Sequence, residues 1–192
     1  IEEGVVYHSQ GKTECEICIL ATNAYTSRII PDFANLIFPI RGQILATQPT
    51  EKRLPAIGCI ANFGYDYWHW TRDGRLILGG QRYTDEHGEV GFDDATINPT
   101  VSQALDQFAK ETYPEVPFEI AHRWSGIMGF SKDGRPLIGP IAGNPSLWCA
   151  AGFTGYGLGM CWAVGLAIAQ VLNDETSELT EILPDFTPSR FT

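Results

Sequence analysis

The sequence predicts an α+β fold: a mixed, largely antiparallel sheet with a helix packed on it, followed by a last strand, a glycine loop and a long apolar helix. Three observations predict it. Residues 62–80 alternate on either side of an Asp-Gly turn, as two antiparallel strands do. Asn98-Pro99 opens a segment whose apolar residues share one helical stripe. Leu147–Ala151 is an apolar run that ends in Gly152, Gly155, Gly157 and Gly159.

The elements follow in order. Val5–His8 and Glu14–Ala21 read as strands joined by a turn at Gln10-Gly11-Lys12, the second nearly continuous in the manner of a strand buried on both faces. Pro31 and Pro39 bound a loop or crossing segment, and Arg41–Gln48 is a short strand. Along Asn62–Thr71 the alternation sets Tyr65, Tyr67, His69 and Thr71 on one face and Asp66, Trp68, Trp70 and Arg72 on the other. Arg72–Arg75 is the hairpin turn and Leu76–Gly80 the returning strand. Val101, Ala104, Leu105, Phe108 and Ala109 form the stripe of the next helix, which Pro114 and Pro117 end. Glu119–Gly129 reads as a strand, Asp133-Gly134 as a turn before Pro136–Gly139, and the last helix spans Gly157–Leu172. Beyond Asn173 the tail is polar and proline-containing, which predicts a surface wrap. This order resembles an antiparallel sheet inserted between pieces of a nucleotide-binding domain.

Composition narrows the function classes. With 192 residues, 44% hydrophobic and 19% charged, the chain has the makings of a packed globular core. A formal net charge of −10 repels phosphate backbones and anionic lipid, so neither nucleic acid nor a membrane is expected as partner. Five cysteines at unpatterned spacing point to free thiols in a reducing, cytoplasmic setting. Residues 144–173 carry no charge, but their glycines break the run and leave a helix too short to span a bilayer. The chain starts at Ile1 with no secretory n-region, and the simplest expectation is that it is part of a longer polypeptide.

Single motifs are modest. The loop Gly152–Gly159 aims backbone N–H groups and a helix N-terminus at one point, where an anion or a ring gaining negative charge would be stabilised. It lacks the last glycine of the dinucleotide fingerprint and the lysine of a Walker loop, and tight helix–strand packing explains the glycines equally well. Cys15-x-x-Cys18 lies in a predicted strand rather than at a helix N-terminus, so it reads as two buried thiols. His8, His69, His87 and His122 have no metal-ligand spacing, and no metal site is expected. Ser125 and Ser131 lack a nucleophile elbow, and Asp73 and Asp133 precede glycines as turn formers.

Taken in order, six segments say more. Ile19–Tyr25, Arg41–Leu45, Asp73–Gly80, Trp124–Ile127, Asp133–Pro140 and Gly152–Gly159 together resemble the C-terminal half of FAD-dependent amine and amino-acid oxidoreductases, the D-amino-acid oxidase-like or glycine/sarcosine oxidase family. The resemblance implies that residues 1–35 are the last strands of a Rossmann-like FAD-binding domain, 36–130 the substrate domain, 131–173 the return to the FAD domain and 174–192 a tail. It places Ala21, Thr22 and Asn23 near the cofactor's phosphate and ribityl part, with Asn23 where glycine is usual. Gly126 and Ile127 would pass beside the flavin ring. Gly152, Phe153, Thr154, Gly155, Tyr156, Gly157 and Leu158 would address its pyrimidine edge.

Tyr65, Tyr67, His69, Gln81 and Met128 are the expected substrate contacts; no catalytic residue is assigned. Members that grip an α-carboxylate often carry arginine where this chain has Met128, and sarcosine-oxidase relatives carry lysine and histidine where it has Gly159 and Tyr156. An amine, or a substrate with a more distant carboxylate, is therefore favoured over a plain α-amino acid. No cysteine lies in 124–130 to form a covalent link, so the FAD is expected to be non-covalent. The implied reaction is hydride transfer from a C–N carbon to flavin by a full-length enzyme, the isolated chain being inactive without its N-terminal remainder. The alternative is a non-catalytic binding module that retains the sheet.

Overall fold

The computed structural model describes residues 4–51 and 55–191. They form two compact units, one within residues 4–39 and 128–191, the other within residues 40–51 and 55–127. Two strands, β4 (Ile37–Thr47) and β8 (Ile120–Ser131), carry the chain from one unit to the other.

In the first unit β1 (Val5–His8) and β2 (Gly11–Glu14) form a hairpin, and β3 (Cys18–Leu20) follows separately. The single strand expected over 14–21 is thus divided. Glu14 pairs with Val5, Cys15 N–H donates to the Gly4 carbonyl, and the chain bends before Cys18. Cys15 therefore sits in a loop, and burial together with the neighbouring Cys15 raises the Cys18 thiol above its usual range. The segment expected as a loop between Pro31 and Pro39 holds a short 3₁₀ turn, Pro31–Asn35, after a first one at Asn23–Arg28. Pro39 itself lies in β4, which begins four residues before the expected Arg41.

A three-stranded sheet has the order β3–β10–β9, with β9 at Leu137–Ile141 and β10 at Asn144–Ala151. β10 runs parallel to β3 and antiparallel to β9. Its apolar run is buried on both faces: Leu147, Cys149 and Ala151 pack with Leu20, Phe33, Ile37 and Leu137, while Trp148 and Ala150 pack with Val164, Ala167 and Ile168 of α2 (Gly157–Leu172). Burial pushes the Cys149 thiol up to about 12, so it is a packing residue and not a nucleophile. α2 begins and ends where the sequence predicts. No helix among the described residues is long and apolar enough to cross a membrane.

The tail is more ordered than a surface wrap. It forms α3 (Glu178–Ile182), capped by Ser177 and Thr180, and two 3₁₀ turns that bury Leu183 and Pro188. Arg190 holds its end down: Nε and Nη2 donate to the Asp133 carboxylate at 2.9 and 3.0 Å, and Nη2 to the Arg135 carbonyl at 2.8 Å.

The second unit contributes β5 (Gly58–Ala61), β6 (Asp66–Trp70), β7 (Leu76–Gly79) and α1 (Pro99–Thr112), in a sheet of order β5–β6–β7–β4–β8. α1 starts as predicted, with the Asn98 side chain accepting from Thr100 N–H at 2.9 Å and Pro99 in the first turn. Leu45, Trp70, Leu76 and Leu78 pack under Val101, Leu105 and Ala109. Burial alone would raise the Glu89 carboxyl, but hydrogen bonds from Arg41, Asn98 and Gln43 outweigh it and hold the group below its ordinary value. This buried cluster ties the loop ahead of α1 to β4.

Candidate functional site

Each unit carries one part of the expected site. In the first, β3 delivers Ala21, Thr22 and Asn23 to the start of a 3₁₀ turn. Asn23 has φ 45°, a left-handed conformation that glycine adopts freely and asparagine tolerates better than most residues. Asparagine can therefore stand where the family resemblance leads one to expect glycine. Its Oδ1 accepts the Gly152 N–H at 3.0 Å, and a Cβ on Gly129 would stand 2.6 Å from that oxygen. Asn23, expected beside the cofactor, is thus joined directly to the glycine loop.

The loop's own polar groups divide into two sets. Thr154 N–H donates to the Gly129 carbonyl at 2.9 Å, Tyr156 N–H to Phe153 at 2.9 Å and Gly159 N–H to Tyr156 at 3.1 Å. The Thr154 hydroxyl oxygen accepts from Ser131 N–H at 3.2 Å, and Phe153 bridges Phe130. Gly152 (φ 71°) and Gly155 (φ 86°) supply the left-handed turns, and a Cβ on Gly152 would press on Leu137, Ile37 and Ser131. Packing therefore explains Gly152. It bears on Gly157 too, where a Cβ would meet Phe153 at 3.1 Å, but the amides of Gly155, Gly157 and Leu158 find no acceptor among the described residues and nothing stands within 4 Å of a Cβ on Gly159. These donors lie at the positive end of α2 and can receive an acceptor or an anion.

In the second unit the sheet has two unlike faces. Pairing sets Cys59, Trp68, Trp70, Leu76, Leu78 and Leu45 on the side that packs under α1. Ile60, Tyr67, His69, Ile77, Gly79 and Ile44 share the opposite side, which no helix of this unit covers among the described residues. The Tyr67 ring lies over Gly79, where a Cβ would strike its Cε2 at 2.5 Å. Burial raises the Tyr67 phenol, and the Arg82 charge works against that rise. On β8, Arg123 reaches Asp106 of α1 at 2.6 Å, so alternation turns Trp124 and Gly126 to the open side and sets Ile127 with Arg123. Gly126 has open space where a Cβ would be.

Two expected contacts are placed differently from the simple alternation. Tyr65 precedes β6 as the residue after a 3₁₀ turn, Asn62–Gly64, and Gln81 lies beyond β7 with φ 57°. Met128 is half-buried in the part of β8 that belongs to the first unit. The sequence reading missed Asn62, Asp66, Arg82 and Tyr83, which surround Tyr65 and Gln81. Among the described residues no group of three or more His, Cys, Asp and Glu side chains is placed to hold a metal ion.

A family model described as DAO, FAD dependent oxidoreductase, matches residues 1–171. The chain belongs to this family. Among curated relatives, the gamma-glutamylputrescine oxidoreductase of Escherichia coli (strain K12) is 25% identical over 89% of this chain and 40% of its own length. A glycine oxidase of Pseudomonas aeruginosa is 30% identical over 78% of this chain and 40% of its length. Among solved structures, L-proline dehydrogenase from P. horikoshii has TM-score 0.78 at 23% identity, covering 98% of this chain and 50% of that one. Glycine oxidase from Geobacillus kaustophilus has TM-score 0.75 at 19% identity, covering 91% and 46%. The chain spans about two-fifths of these curated relatives' length. It shares the fold of the family, and the mixed α+β architecture expected from the sequence is the one observed. FAD is the cofactor that the family implies.

Proposed function

We propose that these residues are the C-terminal part of a larger flavoenzyme that oxidises a C–N bond of an amine or amino acid, with FAD held non-covalently. The observation that carries this reading is the unpaired amide set of Gly155, Gly157 and Leu158 at the start of α2, in a chain of a FAD-dependent family. Bound FAD would supply the acceptor for a hydride leaving the carbon of the C–N bond. The chain's own residues bind and orient. The α2 amides would hold the cofactor's electron-rich pyrimidine edge without a side chain intervening, and Ala21, Thr22 and Asn23 would lie along its phosphate and ribityl part. Tyr67 and His69 on the open sheet face, with Tyr65 and Gln81 beside them, would contact the substrate. Met128 in place of a cation favours an amine or a substrate whose carboxylate lies farther off.

The outer face of α2 fits the same reading. Leu158 is 94% and Trp162 76% exposed on a helix with no charged residue, an apolar surface that the remainder of a longer polypeptide would cover. The deciding experiment purifies the whole polypeptide and mixes it anaerobically with glycine, L-proline and putrescine while flavin absorbance is followed. Bleaching by at least one is expected, and Tyr67→Phe and His69→Ala should raise KM for that compound far more than they lower flavin content. A whole protein that holds no flavin, or whose flavin none of the three reduces, overturns the reading and favours a non-catalytic module. Acid precipitation should release the flavin into solution; colour retained in the pellet would contradict the non-covalent part.

A further inference from the structure

Behind the open sheet face lies a carboxylate that only the backbone of one proposed contact, Gln81, touches. Asp66 opens β6 and is 0% exposed. The hydrogen bonds it accepts come from neutral donors. Oδ1 accepts the Gln81 backbone N–H at 2.8 Å, and Oδ2 accepts from the Asn62 side-chain amide and from the Tyr83 hydroxyl, the latter at 3.2 Å. The Asn62 amide also reaches the Tyr83 hydroxyl at 3.3 Å. A buried carboxylate is costly unless its oxygens are hydrogen-bonded, so the groups that donate to it are held firmly.

What those donors hold is two strained loops. Asn62, Phe63 and Gly64 have φ 48°, 56° and 87°, and Gly80 and Gln81 have φ 130° and 57°. Side chains on L-residues resist this region, and such conformations persist only where the surroundings dictate them. A Cβ on Gly80 would collide with the Asp66 carboxylate, so the second loop passes directly against it. The aromatic cluster depends on both loops: Tyr65 and Tyr83 meet edge to face at 5.9 Å, and the Arg82 guanidinium lies 4.1 Å above the Tyr65 ring. Gln81 is only 6% exposed, its side-chain NH₂ beside the Tyr83 hydroxyl but making no hydrogen bond in good geometry.

We propose that Asp66 is a positioning residue for substrate selection, tying loops 62–65 and 80–83 into one arrangement and thereby setting Tyr65, Gln81 and the Arg82–Tyr65–Tyr83 stack beside Tyr67. The proposal rests on the reading above, in which the substrate meets this face of the sheet. Asp66 touches neither substrate nor cofactor in it. Its carboxylate acts through the loops.

The test uses the whole flavin-loaded protein and whichever of glycine, L-proline and putrescine reduces its flavin fastest. Asp66→Asn keeps the shape but, whichever way the amide turns, sets an NH₂ against a donor, the Gln81 N–H on one side or the Asn62 and Tyr83 pair on the other. Losing an acceptor to charged-group bonds should raise KM about tenfold while kcat stays within about threefold. Phe63 is fully exposed, so chymotryptic nicking at 63–65 reports the loop without any substrate and should become faster in the variant. Should Asp66→Asn fail to fold, Tyr83→Phe removes one of the same bonds and should raise KM by about threefold with faster nicking. Arg123→Gln, on the α1 side, should lower the melting temperature and leave KM and nicking alone. A wild-type KM in a folded Asp66→Asn protein, whether or not nicking changes, overturns the proposal. If Tyr67→Phe raises KM in that assay and Asp66→Asn does not, the substrate face stands and only the role of Asp66 falls. If neither moves KM, the substrate face itself is wrong and the proposal goes with it.

Discussion

Asn23 does two jobs that can be separated, because its backbone is left-handed while its side chain accepts the Gly152 N–H. Asn23→Gly keeps the backbone free and removes only the acceptor; Asn23→Ala removes the acceptor and adds the left-handed penalty of about 1–2 kcal/mol. The whole protein should therefore lose stability in the order wild type, Asn23→Gly, Asn23→Ala. Chemical denaturation measures the steps, and equal stability of the two variants would show that the φ of 45° is not maintained. Gly157 is a different case, since its φ is not left-handed and a Cβ would meet Phe153 Cβ at 3.1 Å. Gly157→Val should push the amide set away from the cofactor and lower the flavin reduction potential, removal of one such donor typically costing about 3 kcal/mol. A flavin-loaded variant with a lower melting temperature and an unchanged potential would make Gly157 a packing residue only. The residues legible in the sequence are those whose role is local: Asn98 as a cap and the glycines of 152–159 as the loop between strand and helix. Asp66 was legible only as a polar residue on the helix side of β6, because its partners Asn62, Gln81 and Tyr83 come from two other loops.

At the level of elements, the C-terminal tail shows how one ion pair fixes a segment that composition reads as loose. The Arg190 guanidinium holds the Asp133 carboxyl far below the ordinary carboxylate range, with further hydrogen bonds from the Arg135 backbone and side chain. A carboxyl depressed in the folded state stabilises it fully above the unfolded value of about 3.9 and loses that contribution as pH falls through the folded value. Arg190→Gln should therefore melt below wild type at neutral pH, and the gap should close as the pH drops through and below the carboxylate range. Melting curves across that range check it, and a gap independent of pH would mean that the arginine acts by packing alone. The elements that matched the sequence best, α1 and α2, have boundaries set by a cap and by a glycine loop. The division of 14–21 into β2 and β3 came instead from which strand each half pairs with.

For the whole molecule, the chain spans about two-fifths of its curated relatives, and the amide set of α2 and the open face of the second sheet belong to different units. A cofactor held through part of its contacts keeps little of its burial. The 192-residue chain alone should bind FAD weakly or not at all, and a yellow preparation with stoichiometric FAD after gel filtration would contradict this. What the sequence by itself determined is local and periodic: the alternation along 62–80, the cap at Asn98, the apolar strand run 147–151, the glycine loop, and the ordered motifs that carry the family. Only the tertiary structure decided which face of the five-stranded sheet α1 covers, which loop amides remain unpaired, and that Asp66 gathers loops 62–65 and 80–83. The physical reason is range. Periodicity and turn chemistry act between residues a few positions apart, whereas burial and hydrogen-bond satisfaction join Asn23 to Gly152 and Asp133 to Arg190 across most of the chain or a large part of it.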